Sequence, residues 1–206
     1  ARRQRLAPTA LTIPTDTYRA PRRREPEGAR EDQLRRALTE SGWSPRERAA
    51  ASLVLLYGMN PSRIVALRRT DLHVDGDSMA LTIGRTPIDL PPRVAGILAR
   101  LPEDRRDGAH SGDQADPELW LFPGDRRGQH MDPTTLGRLL HMRGIQPRTA
   151  RNTTLSDLAA DVPAPVLIHL LGINAATAEA WRSTSGHGPQ YAALRPERRQ
   201  PAGGAS

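Results

Sequence analysis

The sequence predicts a mainly α-helical domain carrying one small three-stranded antiparallel sheet. Three observations point there. Helix-start signals recur at Ser44-Pro45, Asn60-Pro61 and Asp132-Pro133, each a capping residue followed by proline at the first helical position. Between residues 72 and 90, three short apolar runs are separated by the turn residues Asp75-Gly76-Asp77 and Gly84-Arg85. Hydrophobic residues make up 37% of the 206, aromatic ones only 3%, so the core is drawn from Leu, Ala, Ile and Val, a composition that favours helices.

Residues 1–30 mix Pro, Arg and polar residues without a sustained apolar period and read as a flexible basic arm. The start at Ala rather than Met suggests a chain processed or cut ahead of this point. A short amphipathic helix is expected over Glu31–Glu40, ending before Ser41-Gly42. Ser44, Pro45 and Glu47 then form a capping box, which opens a helix through Ala49, Leu53, Val54 and Leu56 that is apolar on nearly all sides and belongs at the centre of the core. Gly58-Met59 breaks it, and Asn60-Pro61 restarts a helix through Ile64, Val65 and Leu67. Strands are expected over Leu72–Val74, Met79–Ile83 and Thr86–Leu90. Pro91-Pro92 opens a helix over Val94–Leu101, followed by an acidic, glycine-containing stretch over Pro102–Pro117 that reads as a mobile loop. Asp132-Pro133 caps a helix through Leu136, Leu139 and Leu140, and Gly144 stops it. The end of the chain, 196–206, is rich in Pro, Gly and Arg and reads as a disordered tail.

Charge and composition narrow the function. The net charge of +7 favours a polyanionic partner, of which nucleic acid is the commonest. Both ends contribute to that charge, with Arg22, Arg23 and Arg24 in one and Arg198 and Arg199 in the other, so the tails alone remain an alternative source. Every basic residue except His is Arg. Cysteine is absent, which excludes a disulfide framework and thiolate metal sites, and the six His show no metal-ligand spacing. No apolar run approaches the length of a membrane span, and no Walker or dinucleotide glycine loop is present. These features predict a cytoplasmic protein without cofactor, metal or membrane partner.

Three stretches carry a family resemblance. Tyr57-Gly58-Met59-Asn60-Pro61-Ser62-Arg63-Ile64-Val65-Ala66-Leu67, with Asp71 following, resembles the first arginine box of the tyrosine recombinase (phage integrase) catalytic domain. Leu119-Trp120-Leu121-Phe122-Pro123-Gly124 is similar to the Leu-Phe-Pro element before that domain's second half. Pro147–Trp181, with Leu170-Leu171-Gly172 inside it, looks like its closing part. The resemblance covers roughly Glu31–Arg195. It implies the recombinase catalytic-domain fold, duplex DNA as partner, and a separate DNA-clamping domain ahead of this one.

The resemblance also shows what has changed. The family uses fixed cations around a DNA phosphate and a tyrosine nucleophile, a demand for electrostatic stabilisation and in-line placement. Matched position by position, the first catalytic Arg falls on Asn60. The His that opens the second box falls on Arg148, the second Arg is retained as Arg151, and the His after it becomes Asn152. The His or Trp after Leu-Leu-Gly becomes Ile173, and the tyrosine falls on or beside Trp181. The family's hairpin Lys has no counterpart except Arg85, which a solvated turn residue would explain equally well. The resemblance therefore implies a recombinase-like DNA-binding protein that has lost strand cleavage, with Arg63, Arg85, Arg148 and Arg151 holding phosphates unless Arg151 is a helix-surface residue or pairs with Asp157 or Glu179. Two alternatives stay open. One is an active site-specific recombinase with Tyr191 as displaced nucleophile, assisted by Arg63 and by His169 or His187. The other is a protein-interaction module on the same fold. A monomer is expected in isolation, with self-association on DNA left open.

Overall fold

A computed structural model of the chain describes residues 24–101, 120–126 and 128–184. The expected basic arm up to residue 23, the Pro102–Pro117 loop, Tyr191, His187 and the 196–206 tail lie outside the described residues. The order is α1 (Ala29–Thr39), α2 (Pro45–Tyr57), α3 (Pro61–Val65), a 3-10 turn (Arg69–Asp71), β1 (Leu72–Asp75), β2 (Ser78–Thr82), β3 (Pro87–Asp89), α4 (Pro92–Ala99), α5 (Pro133–Met142), α6 (Pro147–Asp161), α7 (Ala164–Leu171) and α8 (Ala175–Thr184).

The structure is organised on α2. The expected capping box is present: Glu47 N–H donates to the Ser44 hydroxyl at 3.3 Å, and Ser44 N–H donates to the Glu47 carboxylate at 2.7 Å. Behind this cap, Ala49, Ala50, Ala51, Leu53, Val54 and Leu55 are fully buried, because α1, α3, α4, α5 and α6 surround the helix. The Glu47 carboxylate also receives Arg143 at 2.8 and 3.0 Å, fastening the end of α5 to the start of α2. The same guanidinium lies 5.3 Å from the centre of the Trp43 ring.

At its far end α2 stops on Gly58 with φ +60°, and α6 crosses so close that a Cβ there would stand 2.8 Å from the Leu155 side chain. This left-handed, crowded position requires glycine. The buried hydroxyl of Thr154 on α6 lies 3.0 Å from Leu55 O and Ala150 O and 3.3 Å from Val54 O. It therefore supplies a donor where the end of α2 leaves carbonyls without intrahelical partners.

The sheet has the order β1-β2-β3, antiparallel throughout, with Leu72 opposite Leu81 and Leu81 opposite Ile88. Leu81 is fully buried and turns the sheet's inner face to the core. Leu121 and Phe122 are also fully buried, held by Leu121 N–H to Leu67 O and Met131 N–H to Phe122 O at 2.9 and 2.8 Å. Gly144 ends the α5 turn with φ +77°, as its sequence position requires.

Two hydrophobic clusters result. The larger joins α1 to α5 with the sheet, while Leu155, Ala159, Leu167, Leu171 and Trp181 form a second beneath α7 and α8. The helix expected from Glu31 starts at Ala29, and its first turn and the chain just before it are docked on α6. Glu25 N–H donates to Thr153 Oγ1 at 2.8 Å, and Arg30 pairs with Asp157 at 3.2 Å. Among the described residues no helix is long and apolar enough to cross a membrane.

Candidate nucleic-acid interface

Three helix starts meet around an open depression of about 520 Å³ lined by Asn60, Pro61, Pro147, Arg148, Arg151 and Thr177. Asn60 and Pro61 begin α3, Pro147 to Arg151 form the first turns of α6, and Thr177 lies in the first turn of α8. Two of these starts are closed by their own side chains. Asn60 Oδ1 accepts from Arg63 N–H at 2.8 Å, and Asn174 Oδ1 accepts from Thr177 N–H at 2.7 Å. The start of α6 is not closed: Gln146 gives it no side-chain cap, its amide being bonded instead to His141 Nδ1 at 2.8 Å. With Pro147 lacking an N–H, the first-turn donors behind it remain for solvent or an anion.

The charges around the depression have one sign. Arg151 is half-buried, and its buried Nε has no hydrogen-bond partner among the described residues. Neither of the two carboxylates that the sequence offered pairs with it, since Asp157 pairs with Arg30 and Glu179 pairs with Arg182 at 3.3 Å. Arg148 is exposed on the rim. Arg63 stands close enough to Arg151 that burial, reinforced by the Arg151 charge, lowers its pKa from the ordinary value. Among the described residues no carboxylate makes an ion pair with Arg63, Arg85, Arg148 or Arg151. Such a concentration of uncompensated cation in a partly desolvated recess favours an anion.

The remaining expected positions divide. Arg63 is turned inward: its Nη1 donates to Leu171 O at 2.6 Å and its Nη2 to Ile83 O. The phosphate-holding role expected of it meets a guanidinium already spending two donors on carbonyls. Arg85 is exposed in the β2–β3 turn, and its backbone N–H donates to His169 O at 2.9 Å. Asn152 is buried, and Ile173 packs against the smaller hydrophobic cluster. Trp181 is fully buried within that cluster. Tyr57 is the one tyrosine among the described residues; it packs between the two clusters, and burial pushes its hydroxyl up to about 12. His169 is exposed. Sequence reasoning missed Thr177. The signal was present in Asn174-Ala175-Ala176-Thr177, a capping pattern that places the threonine one turn into α8.

No family model matches the sequence, and no curated protein matches it. The fold does have counterparts: it is the fold of tyrosine recombinase catalytic domains, as the sequence led one to expect. XerH site-specific recombinase, bound to its difH substrate in a pre-cleavage complex, is similar with a TM-score of 0.57 and 15% identity over 79% of this chain and 50% of that one. XerA recombinase gives 0.52 and 16% identity over 79% and 61%. The Tn1549 transposon integrase in complex with transposon right-end DNA gives 0.55 and 16% over 88% and 66%. The chain thus spans between half and two thirds of the length of these structures. At such identity the likeness is one of fold.

Proposed function

We propose that this chain binds the sugar–phosphate backbone of duplex DNA and does not cut it. The observation that carries the reading is the depression at the start of α6, where the half-buried Arg151, whose Nε has no hydrogen-bond partner among the described residues, stands beside Arg148 and an uncapped helix end. A guanidinium offers two parallel donors to a phosphate, and the open first turn adds oriented N–H groups. Arg85, exposed in the β2–β3 turn, supplies a further backbone contact. The Tn1549 integrase structure with this fold is named as a complex with DNA, which supports the choice of DNA over other polyanions.

Loss of cleavage is supported by what fills the matched positions. Asn60 is occupied as a helix cap, Ile173 can neither donate nor accept a proton, and the Trp181 ring is buried in a core. A chain that holds phosphate without a nucleophile would keep a recombinase's grip and lose its chemistry. The test is binding of labelled duplex DNA over a salt series, followed by denaturing electrophoresis of the same samples. Arg151→Ala should weaken binding and reduce the slope of log K against log salt by about 1. An unchanged slope would sink the Arg151 phosphate site. A protein–DNA adduct on a suicide substrate, lost in Tyr191→Phe, would replace this reading with an active recombinase.

A further inference from the structure

The turn between β2 and β3 is built against the end of α7 at unusually close range. A Cβ on Gly84 would stand 2.3 Å from His169 O, 2.6 Å from Leu170 O and 2.7 Å from Gly172 N, a space no other residue can enter. Gly172, with φ +60°, approaches from the other side, where a Cβ would lie 3.1 Å from Gly84 Cα and 3.3 Å from Arg63 Nη2. Arg85 N–H closes on His169 O at 2.9 Å. Arg63 reaches into this junction from α3, giving one donor to Leu171 O at 2.6 Å and another to Ile83 O.

The chemistry of the junction explains why an arginine stands there. The last turn of α7 leaves carbonyls without intrahelical donors and carries the negative end of the helix dipole. A guanidinium satisfies both needs, and its rigid fork can serve carbonyls on two separate elements at once. An ammonium on a flexible stem keeps the charge and loses the fork.

We propose that Arg63 is a positioning residue that clamps the β2–β3 turn onto the end of α7 and so holds Arg85 in place for the DNA backbone. The consequence for binding rests on the DNA-binding reading above; the clamp itself does not. Arg63 spends two of its donors inside the protein and adds its charge to that of Arg151, while Arg85 meets the ligand.

The experiment uses the full chain and the variants Arg63→Lys, Arg85→Ala and their double. Amide hydrogen exchange at Arg85 reads the clamp, and duplex DNA binding over a salt series reads its effect. In Arg63→Lys, exchange at Arg85 should rise by about tenfold or more, with the buried α6 amides around Thr154 unaffected. Its DNA affinity should fall to the level of Arg85→Ala, and the double variant should bind no more weakly than Arg85→Ala alone. Unchanged exchange at Arg85, or additive losses in the double, would overturn the proposal. Should Arg63→Lys fail to fold, Gly84→Ala forces the same turn off the same carbonyls and is expected to give the same exchange and binding signature. Failure of the unmodified chain to bind duplex DNA would remove the function proposed above, and exchange at Arg85 would then decide the clamp by itself.

Discussion

At the scale of single residues, the site turns on which side chains are spoken for. Arg151 and Arg63 are both arginines beside one depression, yet Arg63 has carbonyl partners and Arg151 has none for its Nε. Sequence order alone could not separate them, because each lies on a helix near a matched motif and the difference arises from contacts between segments about 108 residues apart. Trp181 makes the same point in reverse. Its place after Leu170-Leu171-Gly172 was legible in the sequence, and its full burial was not. Restoring a phenol there by Trp181→Tyr should therefore restore no cleavage, because the ring stays in the core. The substitution should instead cost about 1–3 kcal/mol, from lost packing and a buried hydroxyl in search of a partner. Thermal unfolding measures the cost, and an adduct on a suicide substrate would show that the ring can reach DNA after all.

At the scale of elements, the starts of the helices were the most legible part of the chain, because capping is local chemistry. Ser44 with Glu47, Asn60 with Pro61, and Asp132 with Pro133 each do in the structure what their spacing implies. What the spacing could not reveal is that the Glu47 carboxylate also ties α2 to α5 through Arg143. Burial pushes this carboxyl upward, but hydrogen bonds from Arg143 and Ser44, with the Arg143 charge, outweigh it and hold the group below its ordinary value. A lowered carboxyl pKa contributes stability that is full above the unfolded value and is lost as pH falls through the folded one. Chemical denaturation at a series of pH values should accordingly show the protein losing stability below the ordinary carboxylate range. Glu47→Gln should flatten that part of the profile and cost about 1–3 kcal/mol at neutral pH. A variant with the same acid-side slope as the parent would rule the pair out as its source.

At the scale of the whole molecule, the order of helices and sheet followed from periodicity and turn residues, while the docking of residues 24–30 on α6 did not. A stretch of Pro, Arg and Glu has no apolar pattern to announce contact. Its attachment depends on Thr153 and Asp157, far along the chain. The same scale separates the proposed DNA binding by the fold from binding by the charged ends. A fragment of residues 24–184 keeps the depression and Arg85, and it should retain salt-dependent duplex binding with a smaller slope than the full chain. Complete loss of binding would assign the affinity to the ends and favour a protein-interaction surface on this fold. The two separate hydrophobic clusters carry one more consequence, for cooperativity. Among the described residues, the last two helices share with α6 a small core, joined to the larger one through α6, Tyr57, Ile88 and the Arg63 junction. That division marks a seam along which a sub-global opening can run, with α7 and α8 exchanging as one unit ahead of the remainder. Arg63, Tyr57 and Ile88 span it, so a few side chains couple the melting of the two parts.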